Sequence, residues 1–417
     1  MSIKWRVLIV ASVIAGIILW WFLHSQSHKK TDGIIKVGVL HSLTGLMAVT
    51  EGPMIDAVNL AIDEINENGG VLGKKLVPII VDAQSDWPTY AREAERLITE
   101  EKVLVIFGGY TSASRKMVKT VVEKFNNLLF YPTQYEGLET SKNIIYMGST
   151  ANQQAIPAVT WSLQNLGRRV FLVGSDYIYQ HAINSIIKML LTARNGTLVG
   201  EEYISFTQQS VDPIIEKIIK AKPDVIINNI VGEENSRFFK TLRKAGISAE
   251  KIPTVSLTIS ETEIASLNIN EMIGDYGVQN YFQSLDTPAN NSFVEKFKKK
   301  FGAHRTISSS MQNAYAGIYF WKNAVEKAQT TDTDAVREQL RGAVLSAPEG
   351  IISIDGKTLD TWKPVLIGKI FPNKQFGIVW NSVSTIAPLK YPPLMTKEHW
   401  DSLLEYYYTK WGNQWWR

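Results

Sequence analysis

Several short segments of this sequence gather hydroxyls and aromatic rings. They are His41-Ser42-Leu43-Thr44-Gly45, Gly108 to Ser114, Tyr131 to Glu136, Ser175-Asp176-Tyr177-Ile178-Tyr179, and Val231-Gly232-Glu233. Ser, Thr and Tyr hydroxyls both donate and accept hydrogen bonds. Nearly all of these residues are uncharged. Such a lining suits a small, neutral, polar ligand held by a few placed hydrogen bonds inside aromatic walls. By residue type the candidate contacts are Tyr110, Thr111, Ser112, Tyr131, Thr133, Tyr177 and Tyr179. Structural roles compete at some positions. Ser112 and Ser114 also suit a helix cap, and Tyr131 and Tyr135 also suit core aromatics with satisfied hydroxyls. Asp176 reads as a turn residue or N-cap, and Glu136 as the partner of a backbone group or an arginine.

Catalytic chemistry finds no comparable constellation. The histidines are His24, His28, His41, His181, His304 and His399, and none has the spacing of a zinc-hydrolase helix. There is no G-x-S-x-G nucleophile elbow. Gly69-Gly70-Val71-Leu72-Gly73-Lys74-Lys75 imitates a phosphate loop. It is one residue short, has no Ser or Thr after the lysine, and follows a helix, so it reads as a helix-ending turn. Ser42-Leu43-Thr44-Gly45 lacks the glycine spacing of a dinucleotide loop. With no cysteine there is no thiolate zinc site, iron–sulfur cluster or cysteine nucleophile. The expectation is a non-enzyme with no catalytic residue, metal or cofactor.

The elements that must position these segments alternate. Ile34 to Leu40 reads as a strand, and a helix opening near Pro53 carries Ile55, Val58, Ile62 and Ile65 on one face. Strands follow at Leu76 to Val81, Val103 to Phe107 and Leu128 to Tyr131, separated by helices at Tyr90 to Glu101 and Ser114 to Phe125. The pattern restarts with strands at Val170 to Gly174, Val225 to Asn229 and Pro253 to Leu257. Ser260 to Glu263 is a capping box. Later helices cover Pro288 to Phe301, Met311 to Ala328 and Thr333 to Leu345, and short strands cover Ile351 to Ile354, Val365 to Ile370 and Phe376 to Trp380. Strand–helix alternation predicts parallel sheets covered by helices. Ligands in such sheets bind beyond the carboxyl ends of the strands, where the polar segments lie.

The chain has 417 residues, 45% hydrophobic and 20% charged, enough for two or three domains with real cores. Its net charge of +4 is scattered rather than concentrated, which argues against nucleic acid as a partner. Val7 to Leu23 is apolar and uncharged between basic flanks. It reads as an uncleaved signal anchor, with cleavage after Ser27 as the alternative. Either puts the body outside the cytoplasm.

Three stretches carry a family resemblance: Gly109 to Lys116 (GYTSASRK), Leu129 to Gly137 (LFYPTQYEG) and Gly174 to Tyr179 (GSDYIY). They resemble the urea and short-chain-amide binding proteins, among the type I periplasmic binding proteins of ABC transporters. Asn68 to Lys75, Ser85 to Pro88, Tyr281 to Pro288, Ala347 to Gly350 and Thr361 to Val365 match as well. The resemblance implies an α/β fold of two Rossmann-like lobes joined by three crossovers around a hinged ligand cleft. After the anchor or signal segment read over 1–30, it implies a first lobe over 34–151 plus about 282–345, and a second over 152–281 plus about 346–395. An aromatic C-terminal tail, 396–417, would follow, docked through Trp400, Leu403, Leu404, Tyr407 and Trp411, or else reaching a membrane or permease.

By family pattern the first lobe supplies Tyr110, Ser112, Tyr131 and Thr133, and the second Tyr177, Tyr179 and the backbone at Val231 and Gly232. The implied function is capture of urea or a short amide for delivery to an ABC permease, and the anchor reading of Val7 to Leu23 would tether the body in the cell membrane through one N-terminal helix. The alternative is a sensing module for amides or branched amino acids that acts on a regulatory partner. Two features depart from the family. Gln180-His181 stand where relatives commonly have Pro-Arg, and no cysteine is available for a lipid tether.

Overall fold

A computed structural model describes residues 33–206, 210–266 and 268–417. The expected anchor at Val7 to Leu23 lies outside the described residues, and no described helix is long and apolar enough to cross a membrane.

The chain begins with β1 (Ile34–His41), α1 (Ala48–Glu67), β2 (Lys75–Asp82), α2 (Trp87–Thr99), β3 (Ile106–Gly108), α3 (Ser112–Lys124), β4 (Leu129–Tyr131) and β5 (Ile144–Tyr146). These strands form one parallel sheet in the order β2-β1-β3-β4-β5. Interior strand β1 buries Val37, Val39 and Leu40 in a nearly continuous apolar run, as a strand covered on both faces must. The chain continues through α4 (Ala155–Asn165), β6 (Arg169–Ser175), α5 (Ile178–Ala193), β7 (Thr197–Ile204), α6 (Asp212–Ala221), β8 (Val225–Asn229), α7 (Glu234–Lys244), β9 (Thr254–Ser256), α8 (Glu261–Ser266) and β10 (Tyr276–Gln279). β7, β6, β8, β9 and β10 pair in parallel in a second sheet.

The remainder shuttles between the sheets. After α9 (Pro288–Phe301), α10 (Ser309–Ala328) lays Ala316, Phe320 and Trp321 into the core beneath Val37, Val39 and Phe107. After α11 (Thr333–Leu340) come β11 (Val344–Ala347), β12 (Gly350–Ile354) and β13 (Thr361–Trp362), a small antiparallel sheet. Then β14 (Leu366–Ile370) extends the second sheet antiparallel to β10, β15 (Phe376–Asn381) pairs antiparallel with β14, and α12 (Lys397–Lys410) ends the succession. The backbone therefore passes between the two sheets after β5, after β10 and after β13.

Two details differ from the sequence reading. The first helix starts at Ala48, so Pro53 lies inside it rather than in its first turn. The backbone bond that proline cannot make falls at the carbonyl of exposed Val49. The second concerns 346–395, read as second-lobe sequence. Its first part stays with the first sheet. Ala347, Ile352, Ile354 and Leu359 join the core of Val37 and Phe107, and Tyr146 N donates to Leu359 O. Alternating burial along β12 turns Ile352 and Ile354 inward there and leaves Ile351 exposed.

Candidate ligand site

The first wall is built at the carboxyl ends of β1, β3 and β4. A Cβ on Gly108 would stand 2.0 Å from Leu40 O, so only glycine lets β3 turn away here. Thr111 then caps α3, accepting from Ser114 N at 3.0 Å. Its hydroxyl also accepts from Trp87 Nε1 at 2.9 Å and donates to Ser114 Oγ. Ser112 Oγ donates to Glu136 at 2.5 Å and accepts from Arg115 Nη1 at 2.9 Å. Tyr131 donates its hydroxyl to Tyr110 O at 2.6 Å. Thr133 differs: its Oγ1 is buried and finds no partner. The hydroxyls of Thr111, Ser112 and Tyr131 thus hold the wall together, and Thr133 carries an unused one.

Behind this wall lies a buried ionic network. Arg115 forks onto Glu139 through Nε and onto Glu136 through Nη2, both at 2.9 Å. Its guanidinium lies 5.0 Å from the Tyr131 ring and 4.6 Å from the Tyr135 ring. Lys116 bonds Glu139 at 3.0 Å, and Tyr146 donates to the same carboxylate. Lys390 pairs with Asp360 at 2.9 Å, and Tyr135 bonds Asp360. Burial alone would raise the Glu139 carboxyl, but the charges of Arg115 and Lys116 outweigh it and hold it well below the usual carboxylate range. Three cations meet three carboxylates. Glu136 is an arginine partner, one of the roles its position suggested.

The second wall comes from β6, β8 and β9. Tyr177 precedes α5, and its ring centroid lies 6.4 Å from that of Tyr179. The Tyr179 hydroxyl reaches Gln154 at 3.4 Å. Val231 N donates to Ser175 Oγ, which in turn donates to Glu234 at 3.0 Å. Burial pushes the Glu234 carboxyl up to about 7. Gly232 has a φ of +65°, and a Cβ there would stand 3.4 Å from Leu46 O on the opposite side. The walls therefore meet at this loop. Tyr110 faces the gap as well: burial first, then the nearby Glu263 carboxylate and Tyr177, hold its phenol well above its ordinary value.

Sequence reading missed residues that shape both walls. Tyr90 donates to Glu51 at 2.5 Å and lies 2.9 Å from Ser42 Oγ, while Ser42 N donates to Glu51 at 3.0 Å. His41 Nδ1 sits 3.2 Å from the same carboxylate. An amide side chain joins the lobes: Gln134 of the first donates to Leu257 O of the second, where Gln154 also donates to Leu257 O and to Val278 O. No spacing rule flags such pairs, because their partners lie more than a hundred residues away.

The departure at Gln180-His181 now has a structural account. Gln180 Nε2 donates to Asn229 O at 2.8 Å, tying α5 to β8. His181 Nε2 lies 2.7 Å from Asp176 and its ring stacks on Tyr203 at 3.8 Å. Tyr407 and Trp411 of the aromatic tail pack against that ring at 4.7 and 5.1 Å. Trp400 and Leu404 of α12 are buried in the main core, so this helix docks on the body.

Comparison with known proteins agrees with this architecture. Residues 35–397 match the family described as periplasmic binding protein domain. The chain is 24% identical over 341 residues to the Leu/Ile/Val-binding protein BraC3 of Rhizobium johnstonii, covering 81% of this chain and 86% of that one. A shorter stretch of 132 residues is 36% identical to limonene hydroxylase of Geobacillus stearothermophilus. It covers 32% of this chain and only 24% of that protein. Among solved structures, the solute binding protein of an ABC transporter from Rhodopseudomonas palustris BisB5, in complex with 3,4-dihydroxybenzoic acid, superposes with a TM-score of 0.78. It is 22% identical, with 87% of this chain and 99% of that one covered. A counterpart from strain HaA2, in complex with p-hydroxybenzoic acid, gives 0.78 at 20% identity over 86% and 98% of the two chains. At these identities the superpositions speak for the fold, and the match over 35–397 speaks for descent: the chain belongs to the periplasmic binding protein domain family.

Proposed function

We propose that this protein is an extracytoplasmic solute-binding protein that encloses a small uncharged polar solute, urea or a short-chain amide, and presents it to an ABC permease. The observation that carries the reading is the charge balance of the first wall. Arg115, Lys116 and Lys390 are each already paired with Glu136, Glu139 or Asp360. The candidate contacts Tyr110, Thr111, Ser112, Tyr131, Thr133, Tyr177 and Tyr179 carry no charge at neutral pH. A carboxylate ligand, such as the benzoic acids named for the solved relatives or a branched amino acid, needs a cation that is not already committed. An amide needs only hydroxyls and carbonyls, which this cleft has.

The hinge geometry supports capture by closure. Gln134 bridges the lobes by donating to Leu257 O, and Gly232 approaches Leu46 from across the gap. Closing the lobes strengthens each buried hydrogen bond by excluding water.

A thermal-shift panel tests the reading, because a solute that binds only the folded state raises its melting temperature. Acetamide, formamide and urea at low concentration are expected to raise it. 4-Hydroxybenzoate and leucine are expected to leave it unchanged, and the reverse result overturns the amide assignment.

A further inference from the structure

The segment that follows α12 does not leave the body. It returns across the mouth of the cleft and touches both lobes. On the second lobe, Ile178 N donates to Trp415 O at 3.1 Å, and Tyr177 pairs with Trp416 in an antiparallel bridge. Arg417 lies 3.5 Å from Asp176. On the first lobe, the Trp416 ring packs 4.6 Å from Trp87, and Lys116 Nζ lies 4.6 Å from the Trp415 ring. Trp87 is the residue whose indole N–H holds Thr111. Phe206 completes the cluster, 5.8 Å from Trp87 and 5.9 Å from Tyr177.

We propose that Trp415 and Trp416 form a third wall of the ligand site, a clasp that joins the lobes at Tyr177 and Trp87 and must release one of them before solute is exchanged. The proposal rests on the reading of the cleft as a solute site. Its anchorage on the two lobes is unequal. The second-lobe side has backbone pairing at Tyr177 and Ile178, continuous with α12 and its packing on His181. The first-lobe side has only ring and cation contacts. A few ring and cation–π contacts are weak beside paired backbone that continues into a docked helix. Opening therefore breaks the Trp87 and Lys116 contacts first, and the clasp travels with the second lobe. His181, which replaces the arginine common in relatives, supplies the flat surface that Tyr407 and Trp411 need, so the departure and the clasp are parts of one arrangement.

The absence of native cysteine makes the test clean. Spin labels at exposed positions on each lobe, Glu123→Cys on α3 and Lys220→Cys on α6, report the distance between lobes in the full chain without ligand. With Trp415→Ala and Trp416→Ala together, the distance distribution is expected to broaden and lengthen. Trp416→Phe, which keeps an aromatic face, is expected to stay close to the parent and controls for folding. An unchanged distribution in a folded double variant overturns the clasp. A second arm follows acetamide release by stopped flow, where loss of the rings is expected to raise the rate by about threefold to tenfold. If acetamide fails to bind the parent, the amide reading falls, and the ligand-free distances still decide the clasp.

Discussion

The two walls of the cleft are made by opposite means. The first is dense with charge, yet every cation in it has a carboxylate: Arg115 with Glu136 and Glu139, Lys116 with Glu139, Lys390 with Asp360. In the second, Gln180 and Asn229 tie helix to strand through neutral bonds. Its buried carboxylates at Glu261 and Glu263 meet only hydroxyls and backbone N–H groups. Among the described residues neither has an ion-pair partner. The difference teaches that a neutral site can be framed either by pairing buried charges or, as at Glu261 and Glu263, by burying carboxyls away from cations. The first frame is rigid, because its geometry is over-determined. The second answers to pH.

The largest effect expected from this contrast is at Arg115. Arg115→Met strips the guanidinium from buried Glu136 and Glu139 and leaves them to share Lys116, at 3.7 and 3.0 Å. Breaking such a pair from one side costs about 3–5 kcal/mol. Guanidinium chloride unfolding is the appropriate measurement, since urea is itself a candidate ligand. A loss below about 1 kcal/mol would mean the network is decorative, and the contrast between the walls would collapse.

On the second wall the handle is pH. Burial pushes the Glu261 carboxyl up to about 8, against an ordinary value of 4.5. Gln283 N donates to it at 2.7 Å, and among the described residues its second oxygen has no hydrogen-bond partner. Between those values the folded state keeps a proton that the unfolded state has lost. Stability therefore falls as pH rises from about 4.5 to about 8, and the loss from this group is complete above that. Glu261→Gln cannot ionise. It is expected to narrow the stability difference between pH 5 and pH 9 by about 2–4 kcal/mol. Unfolding curves at the two pH values check this, and an unchanged difference places the titration elsewhere.

The alternating strands and helices that make both sheets could be read from apolar periodicity, and so could the segments at the strand ends. The misses share a physical cause. β7 is an edge strand whose side chains are mostly half-exposed, so it lacks the apolar run that marked its neighbours. The sequence continues the helix from Thr333 through Leu345, but it stops at Leu340. Gly342, at a φ of +71°, then turns the chain into β11. At the site, residue types pointed to hydroxyls without saying which were already engaged. Ser112 and Thr133 look alike in sequence, and only the fold gives Ser112 to Glu136 and Arg115 while leaving Thr133 free. The pairing of Arg115 with Glu139 and of Lys390 with Asp360 depends on segments brought together by crossovers, which local patterns do not record.

Thr133 gives the smallest effect and the sharpest comparison, because it sits in the first wall and yet takes no part in its network. Its Oγ1 is buried without a hydrogen bond. An unsatisfied buried hydroxyl costs free energy, and replacing it with a methyl of the same shape is nearly neutral or stabilising. Thr133→Val is thus expected to keep or slightly raise the melting temperature. If the hydroxyl is reserved for a solute, the same change weakens acetamide binding by about fivefold to tenfold, the loss of one buried hydrogen bond. Ser112→Ala is expected to behave in the opposite way. It removes a hydroxyl that Arg115 and Glu136 both use, so it lowers stability by about 1 kcal/mol and affects affinity only through the wall's shape. Calorimetry on the two variants separates a residue that frames the site from one that serves it. Equal affinity losses in both would erase that distinction.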